Sequence, residues 1–346
     1  MLNNKVLRSL GSPRLAMLGM LALGIGATLS YGNPDTVSIW VLVYPLLFLS
    51  LNLLIAILTN PRIYRRYGLL LFHVGLLAMV ILAAIGRLTL FEAEVEMVRD
   101  TVFDPSEVLR AKAGVWHDDK LTQVRFQQSH YTVDYTAGLV RGKTRSYITL
   151  FAEDGTAIQK VVGDDTPLVL EGYRFYTSFN KGFAPILTWR PADGSEPLTG
   201  VVHMPSYPLF EYKQDNQWTP PGSDPINFWL RLDTGLTEEK AWTLDGRHAE
   251  GILVVKSGGQ RIELHLGDST ELPGGVLVYE QLTTWLGYKI YYDPTLFWMF
   301  IASVLSVLGM TVHFWRKISL NVEDRVHYAE RDTKIRHTVS ISKRSV

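Results

Sequence analysis

Apolar residues in this chain follow two patterns. Four stretches contain no charged side chain for about the length a bilayer demands: residues 15–34, 36–61, 67–86 and 294–315. Roughly 20 residues at about 1.5 Å rise each are enough to cross a hydrocarbon core. Between the third and fourth stretches, apolar and polar positions alternate with the period of a β-strand. HYTVDYT, RSYITLFAEDG, ILTWRP, GILVVKSGGQRIELHLG and GGVLVYEQLT are rich in Val, Ile, Tyr and Thr, with Gly, Asp and Pro clustered between them. SGGQ, between ILVVK and RIELHL, predicts a hairpin turn.

The pattern predicts an integral membrane protein of four transmembrane helices with an all-β domain, an antiparallel sandwich or barrel-like form. Its divisions are an N-terminal segment 1–14, three membrane helices within 15–90 (about 15–34, 37–60 and 67–87), a β domain 91–293, a fourth membrane helix 294–315 and a tail 316–346. Residues 15–34 also admit a second reading, as a cleaved leader with basic residues ahead of an apolar core. GATLSYG offers no clear small-x-small cleavage site, and two more apolar stretches follow at once.

Charge orients the helices. The first fourteen residues hold Lys5, Arg8 and Arg14 and no acid, and the turn NPRIYRRYG holds Arg62, Arg65 and Arg66 and no acid. The tail from Arg316 has eight basic and four acidic residues, whereas 91–293 has 19 basic and 29 acidic. If basic segments stay inside, both termini are cytoplasmic and the β domain lies across an inner (plasma) membrane, in a periplasm-like space. The chain has no cysteine, which excludes thiol chemistry, iron–sulfur clusters and thiolate metal sites.

Inside the β domain no catalytic pattern emerges. His117, His130, His203, His248 and His265 are scattered, and there is no HExxH, GxSxG or glycine-rich phosphate loop. Asp118-Asp119 and Asp164-Asp165 read as solvated turns, and the aromatics of EGYRFYTSFN as core. The candidate chemistry lies in the membrane segments, where His73 and His313 are the two histidines. An ionisable side chain there is costly and therefore suspect as functional. The alternative is a neutral imidazole hydrogen-bonded to a neighbouring helix carbonyl.

His73 lies seven residues in from Arg66, about 10 Å deep, and His313 three residues before Arg316, about 5 Å deep. A porphyrin iron needs only an axial nitrogen from the protein, whereas Zn²⁺ needs more ligands than this depth offers. His73 and His313 are thus candidate cofactor-binding residues, with His73 the candidate axial ligand of haem iron. His313, beside Trp315, Arg316 and Lys317, is the weaker of the two. Asp293-Pro294 reads as a cap and first helical residue, and Gly19, Gly24, Gly26 and Gly75 as points of close helix approach.

Three helices, a large β domain and a last helix entered through DP resemble the ResB-type (CcsB-like) proteins of System II cytochrome c biogenesis. The matching segments are FHVGLLAMVILAAIGRLTLFEAEVEM at 72–97, YTVDYTAGLVRGKTRSYITLFAEDG at 131–155, TPLVLEGYRFYTSFN at 166–180 and LGYKIYYDPTLFWMFIASVLSVLGMTVHFWRK at 286–317. The loop YGNPDTVS departs from the GT…PQ pattern of many members, and no tryptophan-rich WWD segment occurs. The resemblance implies a subunit of a cytochrome c synthase, not self-sufficient as a haem lyase. It implies a polytopic CcsA/ResC-type partner, transfer of haem (b-type, transiently bound) across the membrane, and apocytochrome c as recipient. It also implies that His73 matches the family's third-helix histidine, with the second ligand from the partner and His313 outside the first shell. Two other classes stay open: a b-type haem electron-transfer subunit using His73 and His313 together, and a structural ResB-like anchor of another membrane haem complex. No nucleic acid partner is expected.

Overall fold

The computed structural model describes residues 8–33, 36–152, 155–315 and 318. The tail expected over 316–346 falls outside the described residues except for Ile318, as does the N-terminal Lys5. The chain divides into two compact units: one of residues 1–90, 114–117 and 293–346, the other of 91–113 and 118–292.

The first unit holds four helices long and apolar enough to cross a membrane: α1 (Pro13–Gly32), α2 (Trp40–Thr59), α3 (Tyr67–Thr89) and α4 (Leu296–Trp315). This is a membrane protein in its helical part. Proline starts α1 at the first helical position, where no N–H is needed. Asn60 ends α2 and, through its side chain, caps the single turn Pro61–Tyr64 that leads to α3. Asp293 accepts from the Thr295 backbone N–H at 2.8 Å, capping the turn that opens α4.

Glycines set the helix contacts. A Cβ at Gly19 or Gly26 would press on Leu49 or on the Val41 carbonyl of α2, and one at Gly75 on the Ala302 carbonyl and Ser306 of α4. Gly24, by contrast, has nothing within 4 Å. Apolar helices in lipid gain little from hydrophobicity, so backbone contact at such positions supplies the attraction. The buried Asn52 of α2 adds a polar tie, donating from Nδ2 to the Leu10 carbonyl at 2.5 Å.

The second unit is antiparallel throughout. Its strands are β1 (Phe91–Val98), β2 (Leu109–Ala113), β3 (Gln127–Thr136), β4 (Val140–Phe151), β5 (Ala157–Gly163), β6 (Leu168–Leu170), β7 (Tyr173–Pro191) and β8 (Leu198–Val201). There follow β9 (Asp215–Trp218), β10 (Ile226–Leu232), β11 (Trp242–Asp245), β12 (Gly251–Ser257), β13 (Gln260–Leu264), β14 (Ser269–Leu272) and β15 (Gly275–Tyr292). Seven strands form a sheet in the order β2-β1-β15-β7-β6, with β14 on β15 and β8 on β7. Two four-stranded sheets run β13-β12-β10-β9 and β11-β3-β4-β5.

One core joins all three sheets, with Phe126, Tyr131, Phe175, Trp189, Phe228 and Tyr279 fully enclosed. Strand β1 shows how alternation makes it: Phe91, Ala93, Val95 and Met97 point in, and Glu92, Glu94 and Glu96 do not. The turn predicted at SGGQ joins β12 to β13, with Gly258 at φ +57° and Gly259 at φ +80°, both in the region glycine favours.

Candidate functional site

His73 sits on α3, one turn beyond Leu69. Its Nδ1 lies 2.7 Å from the Leu69 carbonyl oxygen. A carbonyl only accepts, so Nδ1 carries a proton, and in the neutral ring Nε2 is then the nitrogen with the lone pair. Among the described residues no group bonds Nε2. The Phe72 ring meets the imidazole edge-on at 5.1 Å, and the side chain is half-buried. Donation from the ring N–H to a backbone carbonyl, which fixes tautomer and ring plane, is the usual arrangement of a metal-ligating imidazole. The carbonyl expected in the alternative reading is present, but it belongs to the same helix and occupies only one of the two nitrogens.

The two membrane histidines do not converge. The stripe of α3 against α4 consists of Gly68, Phe72, Gly75, Met79 and Gly86, which meet Gly309, His313, Ala302, Ser306, Ser303 and Thr295. At about 100° per residue, His73 lies roughly 130° around α3 from that stripe. His313 is on the α3-facing side of α4, where its backbone approaches Gly68 and its ring meets Phe314 at 5.5 Å. The body of α3 therefore separates the two imidazoles. Among the described residues no group of three His, Asp or Glu side chains could hold a metal ion.

No sequence pattern marks three polar clusters that form in the β unit. His203 has Nδ1 2.9 Å from Glu96 Oε2 and lies flat on Trp285, ring centroids 5.3 Å apart and planes 4° from parallel. Gln128, Ser146 and Tyr288 form a buried network, the Tyr288 hydroxyl bonding both others. Lys181, 3% exposed, donates to the Phe179 carbonyl at 3.2 Å beneath the Tyr135 ring. Burial first, then the nearby Arg141 charge, lowers its pKa to about 8.

Asp164 is exposed in a bend, as expected, and also accepts from Arg141 at 2.6 Å and from Thr177 at 2.7 Å. EGYRFYTSFN does place Tyr173 and Phe175 in the core, yet Phe179 is left exposed. Residues 107 or 160 apart meet here only through strand register, so no local signal could have found them. Burial also lowers the pKa of His130, helped by the charge of Arg247.

The model of the ResB-like family matches residues 62–334. The chain belongs to the ResB-like family. No curated protein matches it. A solved structure titled "Cytochrome c Heme Lyase CcmF" is similar at 15% identity, covering 88% of this chain and 35% of that one, with a TM-score of 0.28. The chain thus spans about a third of that structure's length, and a TM-score so low carries no argument here. Within the ResB-like chain, the matched span begins after α2 and takes in α3 with His73, the whole β unit and α4 with His313.

Proposed function

We propose that this ResB-like chain is a membrane subunit of a cytochrome c maturation complex and that His73 supplies one axial ligand to haem held at α3. One observation carries the reading. The imidazole spends Nδ1 on its own helix, which in the neutral ring leaves the Nε2 lone pair available to a ligand. Bound haem would supply an iron that the neutral imidazole nitrogen of His73 could hold.

The chain's own residues then do three things. Leu69 orients the ring, the aliphatic side chains of α3 exclude water, and the glycine contacts with α4 fix the helix. The geometry favours a second ligand from a CcsA/ResC-type polytopic partner over His313, because α3 stands between the two histidines. The haem is b-type and transiently bound. The β unit serves the apocytochrome c side, and covalent attachment belongs to the assembled complex rather than to this chain alone. In the orientation that goes with this, both termini and the Arg62–Arg66 turn are cytoplasmic and the β unit is extracytoplasmic.

The test compares wild type, His73→Ala and His313→Ala, each purified with and without the partner. His73→Ala should lose the Soret band and His313→Ala keep it. An unchanged spectrum in His73→Ala removes the ligand assignment. A haem that cycles stably without the partner and is lost in His313→Ala would establish the electron-transfer reading instead.

A further inference from the structure

Strand β8 ends the seven-stranded sheet beside β7, and β9 ends the four-stranded sheet beside β10. Both present a free side among the described residues. Between them lies a groove of about 180 Å³ lined by Leu187, Leu198, Thr199, Val201 and Trp218. Backbone direction can be read from the strap that continues β8. The N–H groups of Val202 and Met204 donate to the Pro185 and Phe183 carbonyls of β7, at 3.1 and 3.0 Å. Successive residues of a strand turn their backbone groups to opposite sides. Gly200 and Leu198 therefore pair with β7, while Thr199, Val201 and His203 aim N–H and C=O the other way. The His203 carbonyl confirms that direction, since it accepts from Asn216 Nδ2 on β9 at 2.7 Å. Asn216 thus ties β9 to the strap, and among the described residues no backbone group meets the outward N–H of Thr199 or Val201.

We propose that this groove accepts an extended polypeptide segment as an added strand, apolar at alternate positions and flanked by lysine or arginine. Each property of that segment answers a feature of the groove. An open edge with outward N–H and C=O groups asks for a partner backbone. The apolar walls, Leu187, Leu198 and Trp218, ask for apolar side chains on one face of the incoming strand. Acidic residues next to the two edge strands ask for basic flanks: Asp193 and Glu196 are exposed in the turn before β8 and Asp215 at the head of β9, with Lys213 alongside. Residues 91–293 reinforce this with 19 basic against 29 acidic side chains. The proposal does not depend on His73 or on haem.

The test uses the full chain in nanodiscs and three nine-residue probes. One alternates valine and threonine between lysine ends, the second has glutamate ends, and the third is the lysine peptide N-methylated at alternate residues. The lysine peptide should bind and slow hydrogen exchange at the Thr199 and Val201 amides at least tenfold. Binding should weaken at least tenfold with glutamate ends, with N-methylation, in Val201→Pro and in Trp218→Ala. His73→Ala should bind like wild type. No binding, equal binding of the N-methylated peptide, or protection at another edge such as β5 would overturn the proposal. The N-methylated arm needs no variant, so it remains decisive even if Val201→Pro fails to fold.

Discussion

Lys181 shows what one residue can cost a fold. Its ammonium is enclosed, donates to the Phe179 carbonyl and lies close to the charges of Arg141 and Asp164. The native pKa of about 8 stands below the ordinary 10.5. Below pH 8 the amine is charged in both folded and unfolded chains, and the folded one bears the whole desolvation cost. Between 8 and 10.5 the unfolded chain binds the extra proton, so this group makes stability rise with pH. Lys181→Met should therefore raise stability at pH 7 by up to roughly 3 kcal/mol, and the gain should shrink toward pH 10.5. Thermal unfolding of variant and wild type across that range checks it; a constant difference would contradict the assignment. Nothing in the sequence marks Lys181, because the Tyr135 ring and the Arg141 charge that meet it lie far away in the chain. His73 is the opposite case. Its position in an apolar helix is plain from sequence, but which nitrogen it leaves open depended on the carbonyl of Leu69.

Helices and strands were legible to different degrees. The apolar runs marked α1 to α4, and alternation marked the β segments. Contacts between elements were legible only where glycine announced them, and then incompletely. Gly19, Gly26 and Gly75 make close contacts, whereas Gly24 in the same kind of pattern makes none. A small residue permits approach and does not compel it. Gly75→Leu should drive a side chain into Ala302 and Ser306 and lower the melting temperature of the detergent-solubilised chain by several degrees. Gly24→Leu should leave it unchanged, since a leucine there enters open space and suits a helix better. Fluorescence-detected size exclusion after a heating series reads both, and equal behaviour of the two variants would refute the contact map. The Gly258–Gly259 turn was readable because its demand for positive φ is local. The β8 edge was not, because the open side of a strand is defined by strands that fail to reach it.

For the molecule as a whole, the orientation proposed in the membrane rests on where the basic residues lie. With no native cysteine, single introduced cysteines give an unambiguous reading. Ala137→Cys, in the exposed turn between β3 and β4, should react with a membrane-impermeant maleimide in intact cells. Arg65→Cys, in the exposed turn before α3, should react only after permeabilisation. The reverse pattern would invert the orientation and take the β unit out of the space where apocytochrome c is proposed to be met.

By itself the sequence determined the number and length of the apolar helices, the β character of the middle and the two membrane histidines. Each of these depends on residues near one another along the chain, or on solubility in lipid. Tertiary structure alone decided that the body of α3 separates His73 from His313, that His203 rests on Trp285 against Glu96, and that β8 and β9 face each other across an unfilled groove. Those outcomes depend on helix rotation and strand register. A shift of one residue in either would redirect every side chain, and no single segment specifies its own rotation or register without the surface it packs against.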